Sequence, residues 1–448
     1  MNPIPFIAVS CPAGAILCFR CVAADPVVIP FVEVEANGTV TTNDVVETEP
    51  LYPSSPVSLT IPASPSVSLS FQGLDDNNRS IPPDTHGAVG PNHVLTMLNT
   101  QVRVQDRTGV TNIVTKTLFD WWTNAGSFVG PFDPKVVYDP YQNRWIATVC
   151  TDAKATNSSL ILGVSQGNDP TGGWYYQKID ADTNNVVWID YPSLGFNKTW
   201  IAINVNIFTN VPAPGKTGFR ESRTYIFDKA NAYTNGTTRT IVYHESGPIA
   251  PAITYDNTVA TLYAAQVWNT TYSNSTTAGA WRGQLKLYTI TGTGASPTYS
   301  EVTARPSTAA WSFTNAAANW APQPNSTVKI ANGDGRMQSL VYRGGSLWAA
   351  HTAFYPYVNL TRSAIQWWQV TTAGAVEQVG QIHDTSGVEF YAYPSISVNK
   401  FGDALLGYSS FSTNQYASAN YAFRAFSDPP NTFRSNGVLK AGLGVYYK

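Results

Sequence analysis

The chain has 448 residues, enough for one large repeat fold or for two to three ordinary domains. Charged residues make up only 12% of it, and 27 basic against 29 acidic side chains leave a net charge of −2. That balance excludes the basic stripe that nucleic acid requires and gives no cause for docking on an anionic membrane. Ser, Thr, Asn, Gly and aromatic residues take the place of charge, with 13 Trp, 24 Tyr and 19 Phe, a composition suited to an all-β extracellular protein.

Residues 1–24 form a candidate signal peptide. An apolar stretch from Ile4 to Phe19 leads to Val22-Ala23-Ala24 before Asp25, a small-residue cleavage site. Pro5 and Pro12 interrupt that stretch, and no Lys or Arg precedes Arg20, so the usual positive start is missing. No run of 18 or more apolar residues exists to span a membrane. Cys11, Cys18 and Cys21 fall inside this segment, and the Cys18–Cys21 spacing has no second pair to complete a zinc site. If the segment is retained, an N-terminal disulfide is open to it. Cys150 alone lies in the body, where a buried, strand-borne thiol is expected.

Residues 25–64, rich in Pro, Val, Thr and Ser, read as an extended arm, and residues 65–448 as one domain. Val57-Ser-Leu59-Thr-Ile61 and Val67-Ser-Leu69-Ser-Phe71 alternate as half-buried strands do. The arm is therefore expected to complete the body by strand addition. It can do so on its own chain, or head-to-tail on another copy, building a filament.

The body carries an internal repeat. A phrase built on proline, small and apolar residues ends in Asp or Asn, and after a turn comes a strand rich in Trp, Ala, Ile and Val. Copies start near His86, Pro134, Pro192, Pro251, Gln338 and Pro394, at intervals of roughly 50 to 60 residues with one longer gap before Gln338. A third alternating run follows each hairpin, as in Leu160–Val164, Thr224–Phe227 and Ile365–Val370. Several short strands per repeat around the chain are the signature of propeller blades. No stretch holds a 3.6-residue period over three turns, so helices should be few. The expected class is all-β, a β-propeller with six recognisable blade repeats.

PPDTHGAVGPNH (Pro82 to His93), LFDWW (Leu118 to Trp122), DPKVVYDPYQNRW (Asp133 to Trp145), VSQGNDPTGGW (Val164 to Trp174) and AYPSISVNKFGDALLGYSS (Ala392 to Ser410) resemble a family of secreted β-propeller proteins of bacteria, algae and fungi. The resemblance covers roughly Phe71 to Tyr447. It implies a seven-bladed ring and an extracellular or cell-surface setting, and it carries over no catalytic residue. Family members usually continue past the segment matching Lys440 to Lys448 into a further blade. The last blade is therefore expected to be truncated, or to be completed by the N-terminal arm.

Chemistry is sparse. Gly163-Val-Ser165-Gln-Gly167 satisfies the pattern of a nucleophile elbow, but a loop follows where that chemistry needs a helix. His86, His93, His244, His351 and His383 form no metal-binding pair. Asp180-Ala-Asp182-Thr-Asn184 opens like a calcium loop, yet Asn185 and Tyr191 stand where it needs Gly and Glu. A looser calcium site from propeller loops would draw on Asp84, Asp180, Asp182 and Asp190, with Asp75, Asp76 and Asp133 as further donors. Asp in such loops also serves Asx-turns.

Nine Asn-x-Ser/Thr sequons, at Asn37, Asn78, Asn157, Asn197, Asn235, Asn269, Asn274, Asn325 and Asn359, are candidate glycosylation sites. Trp121-Trp122, Trp174-Tyr-Tyr176, Tyr355-Pro-Tyr357 and Trp367-Trp368 are either sugar-stacking platforms or blade packing. The functional expectation is a secreted, non-catalytic structural or adhesive propeller whose partners are other copies of itself or extracellular glycans. The alternative is a carbohydrate-active enzyme or lectin, sialidase-like, using the central mouth. Two carboxylates and an arginine converging on one pocket would favour that alternative.

Overall fold

The computed structural model describes residues 62–212, 218–244, 247–269, 282–309, 311–312, 321–356 and 360–446. The first run of strands is β1 to β4 (His86–Val89, His93–Met97, Gln101–Asp106, Asn112–Thr117). Helix α1 (Leu118–Trp122) follows, capped where the Thr117 side chain accepts from the Asp120 amide. The second run is β5 to β8 (Phe132–Asp139, Arg144–Thr151, Ser159–Ser165, Trp174–Asp180), and the third is β9 to β12 (Val187–Phe196, Trp200–Thr209, Phe219–Asp228, Arg239–His244). Helix α2 (Lys229–Ala232) lies between β11 and β12.

The fourth run holds β13 (Ala250–Pro251), β14 (Ile253–Thr254), β15 (Leu262–Asn269), β16 (Arg282–Thr293), β17 (Ser296–Glu301) and β18 (Ser307–Ala309). The fifth is β19 to β22 (Met337–Arg343, Ser346–Tyr355, Arg362–Thr371, Val376–Ile382), and the sixth is β23 to β26 (Phe390–Val398, Ala404–Ser412, Gln415–Arg424, Gly437–Lys440).

Each run is built on a four-stranded antiparallel meander whose innermost strand comes first; in the fourth it is β13, β15, β16 and β17, with β18 paired to β16 and β14 paired to the neighbouring runs. The third and fifth runs merge into one nine-stranded sheet because Ile253 of β14 pairs in parallel with Phe196 of β9 and with Val341 of β19. Parallel innermost strands from successive runs are what a propeller-like ring requires. The fold is all-β with that arrangement, and both helices are single turns.

Apolar faces of consecutive runs interlock. Leu95, Val102 and Trp122 pack with Val136, Trp145 and Ile161 between the first and second runs. Ile146, Leu160 and Leu162 pack with Phe196, Ile203 and Tyr225 between the second and third. Trp200 and Ile226 meet Leu262 and Ile290, then Leu285 and Leu287 meet Leu347 and Trp368, and finally Trp348 and Trp367 meet Leu406 and Tyr408. Trp367 and Trp368 are both fully buried on opposite faces of β21, so they serve packing on either side of the blade.

Cys150 is free and buried on β6. Ser165 is buried at the end of β7; its hydroxyl donates to Gly167 O at 2.6 Å and accepts from the Trp145 amide at 2.8 Å. It is a strand-end tie with no helix behind it. Val57–Ile61 lie outside the described residues. Val67–Phe71 corrects the strand expected there: apart from an isolated bridge at Phe71 it is irregular, and from residue 62 the chain lies along its own body.

Candidate functional site

The innermost strands of all six runs line one cavity of about 1410 Å³. Three of them begin with the same local device. On β5, β9 and β23 the pairing register slips by one residue, between Phe132 and Lys135, Asp190 and Ser193, and Ala392 and Ser395. The extra residue is Asp133, Tyr191 or Tyr393, each with positive φ (54°, 55° and 58°) and each followed by proline. Asp84, just before β1, has φ 46°. Non-glycine residues rarely hold that conformation, and β-bulges often re-aim side chains beside functional sites.

The carboxyls so presented converge. The Asp133 side chain lies within hydrogen-bonding reach of both the Asp84 and the Asp190 carboxyls. Asn99 ties the cluster, donating to Asp84 Oδ2 at 2.6 Å and accepting from the Asp133 amide at 2.7 Å. The Tyr191 amide donates to Asp190 Oδ1 at 2.9 Å and to Asp133 Oδ2 at 3.2 Å. Burial and the Asp133 charge push the Asp84 carboxyl up to about 7, and burial and the Asp190 charge push Asp133 up to about 6. A hydrogen bond between two carboxyls needs a proton on one of them, and the raised Asp84 carboxyl favours holding it toward Asp133.

Arg336 faces the same space. Its Nε and Nη2 donate to Asp334 at 2.7 and 2.6 Å, and its guanidinium lies 4.3 Å from the centre of the Tyr191 ring. Burial opposes its charge, but the Asp334 pair outweighs burial and raises the Arg336 pKa further. Tyr393 reaches across to donate to Ala331 O at 2.7 Å, and Lys135 and His86 complete this end of the cavity. His86 Nδ1 accepts from the Val136 amide at 3.1 Å, and burial with the nearby Lys135 charge lowers its pKa to about 3, so it is neutral.

The four calcium donors expected from sequence divide. Asp84 and Asp190 join the cavity cluster through Asp133, whereas Asp180 and Asp182 sit where β8 turns toward β9. There Asp180 accepts from the Asp182 amide, and Asp182 from the amides of Asn184 and Val186. These are Asx-turn bonds that shape a loop. Among the described residues no group of three or more His, Cys, Asp or Glu is arranged to hold a metal.

The sequons divide as well. Asn78, Asn157, Asn235 and Asn325 are exposed in turns. Asn197 is 1% exposed; its amide donates to Ala260 O at 2.9 Å, and its Oδ1 accepts from the amides of Thr199 and Trp200. This side chain stitches a turn and has no room for a glycan, which corrects its place among the candidates. Asn37, Asn274 and Asn359 lie outside the described residues, as does the Asn269 side chain.

Two carboxyls in hydrogen-bond contact are closer than the roughly 5 Å separating a retaining glycosidase pair, or the roughly 6.5–9.5 Å of an inverting one. Asp84 and Asp133 therefore do not flank a glycosidic bond. What the cluster can do is donate and accept hydrogen bonds and favour a ligand that brings no negative charge.

No protein-family model and no curated protein matches the chain. Among solved structures, a mutant of the apocarotenoid oxygenase of Synechocystis is similar at 10% identity and a TM-score of 0.43, over 80% of this chain and 71% of that one. The Hadza microbial sialidase Hz136 is similar at 11% identity and a TM-score of 0.34, over 78% and 66%. Trypanosoma rangeli sialidase is similar at 11% identity and a TM-score of 0.37, over 73% and 51%. Likeness at this level supplies no residue correspondence, and the site rests on its own geometry.

Proposed function

We propose that the protein is a secreted six-bladed propeller that binds neutral or amine-bearing saccharides in its central cavity, in a non-catalytic, adhesive role. The observation that carries this reading is the convergence, from four separate runs, of Asp84, Tyr191, Arg336 and Tyr393 on one cavity large enough for a short oligosaccharide, with Asp133 behind Asp84. Sugar hydroxyls need mixed donors and acceptors beside aromatic faces, and this group provides them.

Beside the carboxyl cluster the local charge disfavours an acidic sugar, because Arg336 there is already held by Asp334, whereas Lys135, Arg343 and Lys400 line other parts of the cavity. Six meanders sharing the cavity among the described residues support a count of six blades. Secretion and glycosylation draw support from the exposed turns at Asn78, Asn157, Asn235 and Asn325.

Glycan-array screening followed by titration calorimetry tests the reading. Binding of neutral or amine-bearing oligosaccharides that Tyr191→Ala or Tyr393→Ala weakens at least tenfold is expected. Preference for sialylated or uronic ligands, or binding untouched by both substitutions, would refute it.

A further inference from the structure

Among the described residues, every consecutive pair of runs shares an apolar core except the sixth and the first. Among the described residues the seam between β23 and β1 has no such core. Residues 62–74 lie along it instead. On the sixth run they are held by polar contacts. Ala63 bridges Ser435 in parallel, Ser64 Oγ donates to Ser435 O at 2.6 Å and accepts from the Phe423 amide at 3.1 Å, and the Tyr421 hydroxyl donates to Pro65 O at 2.6 Å.

On the first run the hold is apolar and deeper. Leu74 is fully buried, and Phe71 packs against Val89 and Val94. Gly109, at φ 74°, leaves the space that the Phe71 ring fills, where any Cβ would collide with it. Gln105 and Arg103 donate to the carbonyls of Gln72 and Gly73 at 3.0 and 2.5 Å. Between the two ends, Pro65, Ser66 and Ser68 form part of the cavity wall.

We propose that residues 62–74 are a detachable clasp, anchored on the first run at Phe71 and Leu74 and released from the sixth run at Ser64 and Pro65, whose opening uncovers the side of the cavity. The asymmetry sets the direction: hydrogen bonds exchangeable with water open before a partly buried ring and a buried leucine leave their seats. Tyr421 and Phe423 lie beneath the releasing end and face the cavity, so release exposes them. This inference concerns access and stands whether or not the ligand is a saccharide.

Native-state hydrogen exchange on the full chain, together with hydroxyl-radical footprinting, tests it. The Phe423 amide of the wild type is expected to open in a local, weakly denaturant-dependent event, at least tenfold faster than the amides of Ile203 and Val205 in β10. Ser64→Ala should raise radical oxidation of Tyr421 and Phe423 while leaving Phe71 unchanged. Exchange of Phe423 only with β10, equal oxidation in both proteins, or opening that scales with protein concentration and yields a segment-swapped dimer would each overturn the clasp.

Discussion

Replacing Asp84 with Asn keeps a hydrogen-bond donor toward Asp133 but removes a titrating group that the fold holds against its tendency to ionise. The sign follows from linkage. A carboxyl raised from 3.8 to about 7 stabilises the native state below the unfolded pKa, and that advantage is lost as pH rises through about 7. Three pKa units correspond to about 4 kcal/mol as a ceiling, and a cavity open to solvent screens this to about 2 kcal/mol.

The buried histidines run the other way. Burial lowers the pKa of His351 and of His244 to about 4, so their contribution is present above 6.5 and is lost as pH falls through about 4. In the wild type the two trends oppose each other between pH 4 and 7. D84N should therefore be more stable than wild type by about 2 kcal/mol at pH 8, equal to it at pH 4, and steeper in its loss toward acid. Urea unfolding at half-unit pH steps measures this directly. Parallel pH profiles for the two proteins would refute the raised Asp84 carboxyl and the proton shared with Asp133.

The Lys229–Asp139 pair, 2.7 Å apart and almost fully buried, also accepts the Tyr233 hydroxyl at 2.9 Å. Asp139→Ala should cost about 3–5 kcal/mol by urea denaturation, while an apolar replacement of both partners recovers most of that. Ser165→Ala should cost about 1–3 kcal/mol by leaving the buried Trp145 amide unpaired, and a fluorophosphonate probe should leave Ser165 unlabelled. Gly283→Ala should destabilise strongly on thermal melting, because a Cβ there would run into the Trp311 ring. Peptide mapping of protein from a glycosylating host should find Asn197 bare even where Asn78, Asn157, Asn235 and Asn325 carry sugar.

Much of the architecture was legible because it is periodic. The phrase Asp133–Asp139 with Arg144–Val149 became β5 and β6, and Leu160–Val164 fell on β7. Sequence spacing misled where function depends on chain returns. Asp180 and Asp182 are near neighbours of Asp190 along the chain, yet they belong to the outer end of the second run and Asp190 to the inner start of the third. Asp84 and Asp133 meet only because two innermost strands lie side by side. Arg336 and Asp334 passed unnoticed, since they fall in the long interval before Gln338 where no repeat marks them. The residue-proline steps Asp133-Pro134, Tyr191-Pro192 and Tyr393-Pro394, whose prolines mark three copies of the repeat, each fall on a bulge within an innermost strand.

Those bulges separate two demands that usually compete for one position. The ladder on either side of Asp133, Tyr191 and Tyr393 resumes its register whatever the extra residue is, because that residue has no partner opposite it. Its side chain is thus released from the alternation that fixes its neighbours, and acid or phenol can occupy it without repacking a blade. The ring behaves as a socket board with interchangeable pins. An acid in place of Tyr191 or Tyr393, both of which line the cavity, would redraw its polarity while the ladder on either side keeps its register.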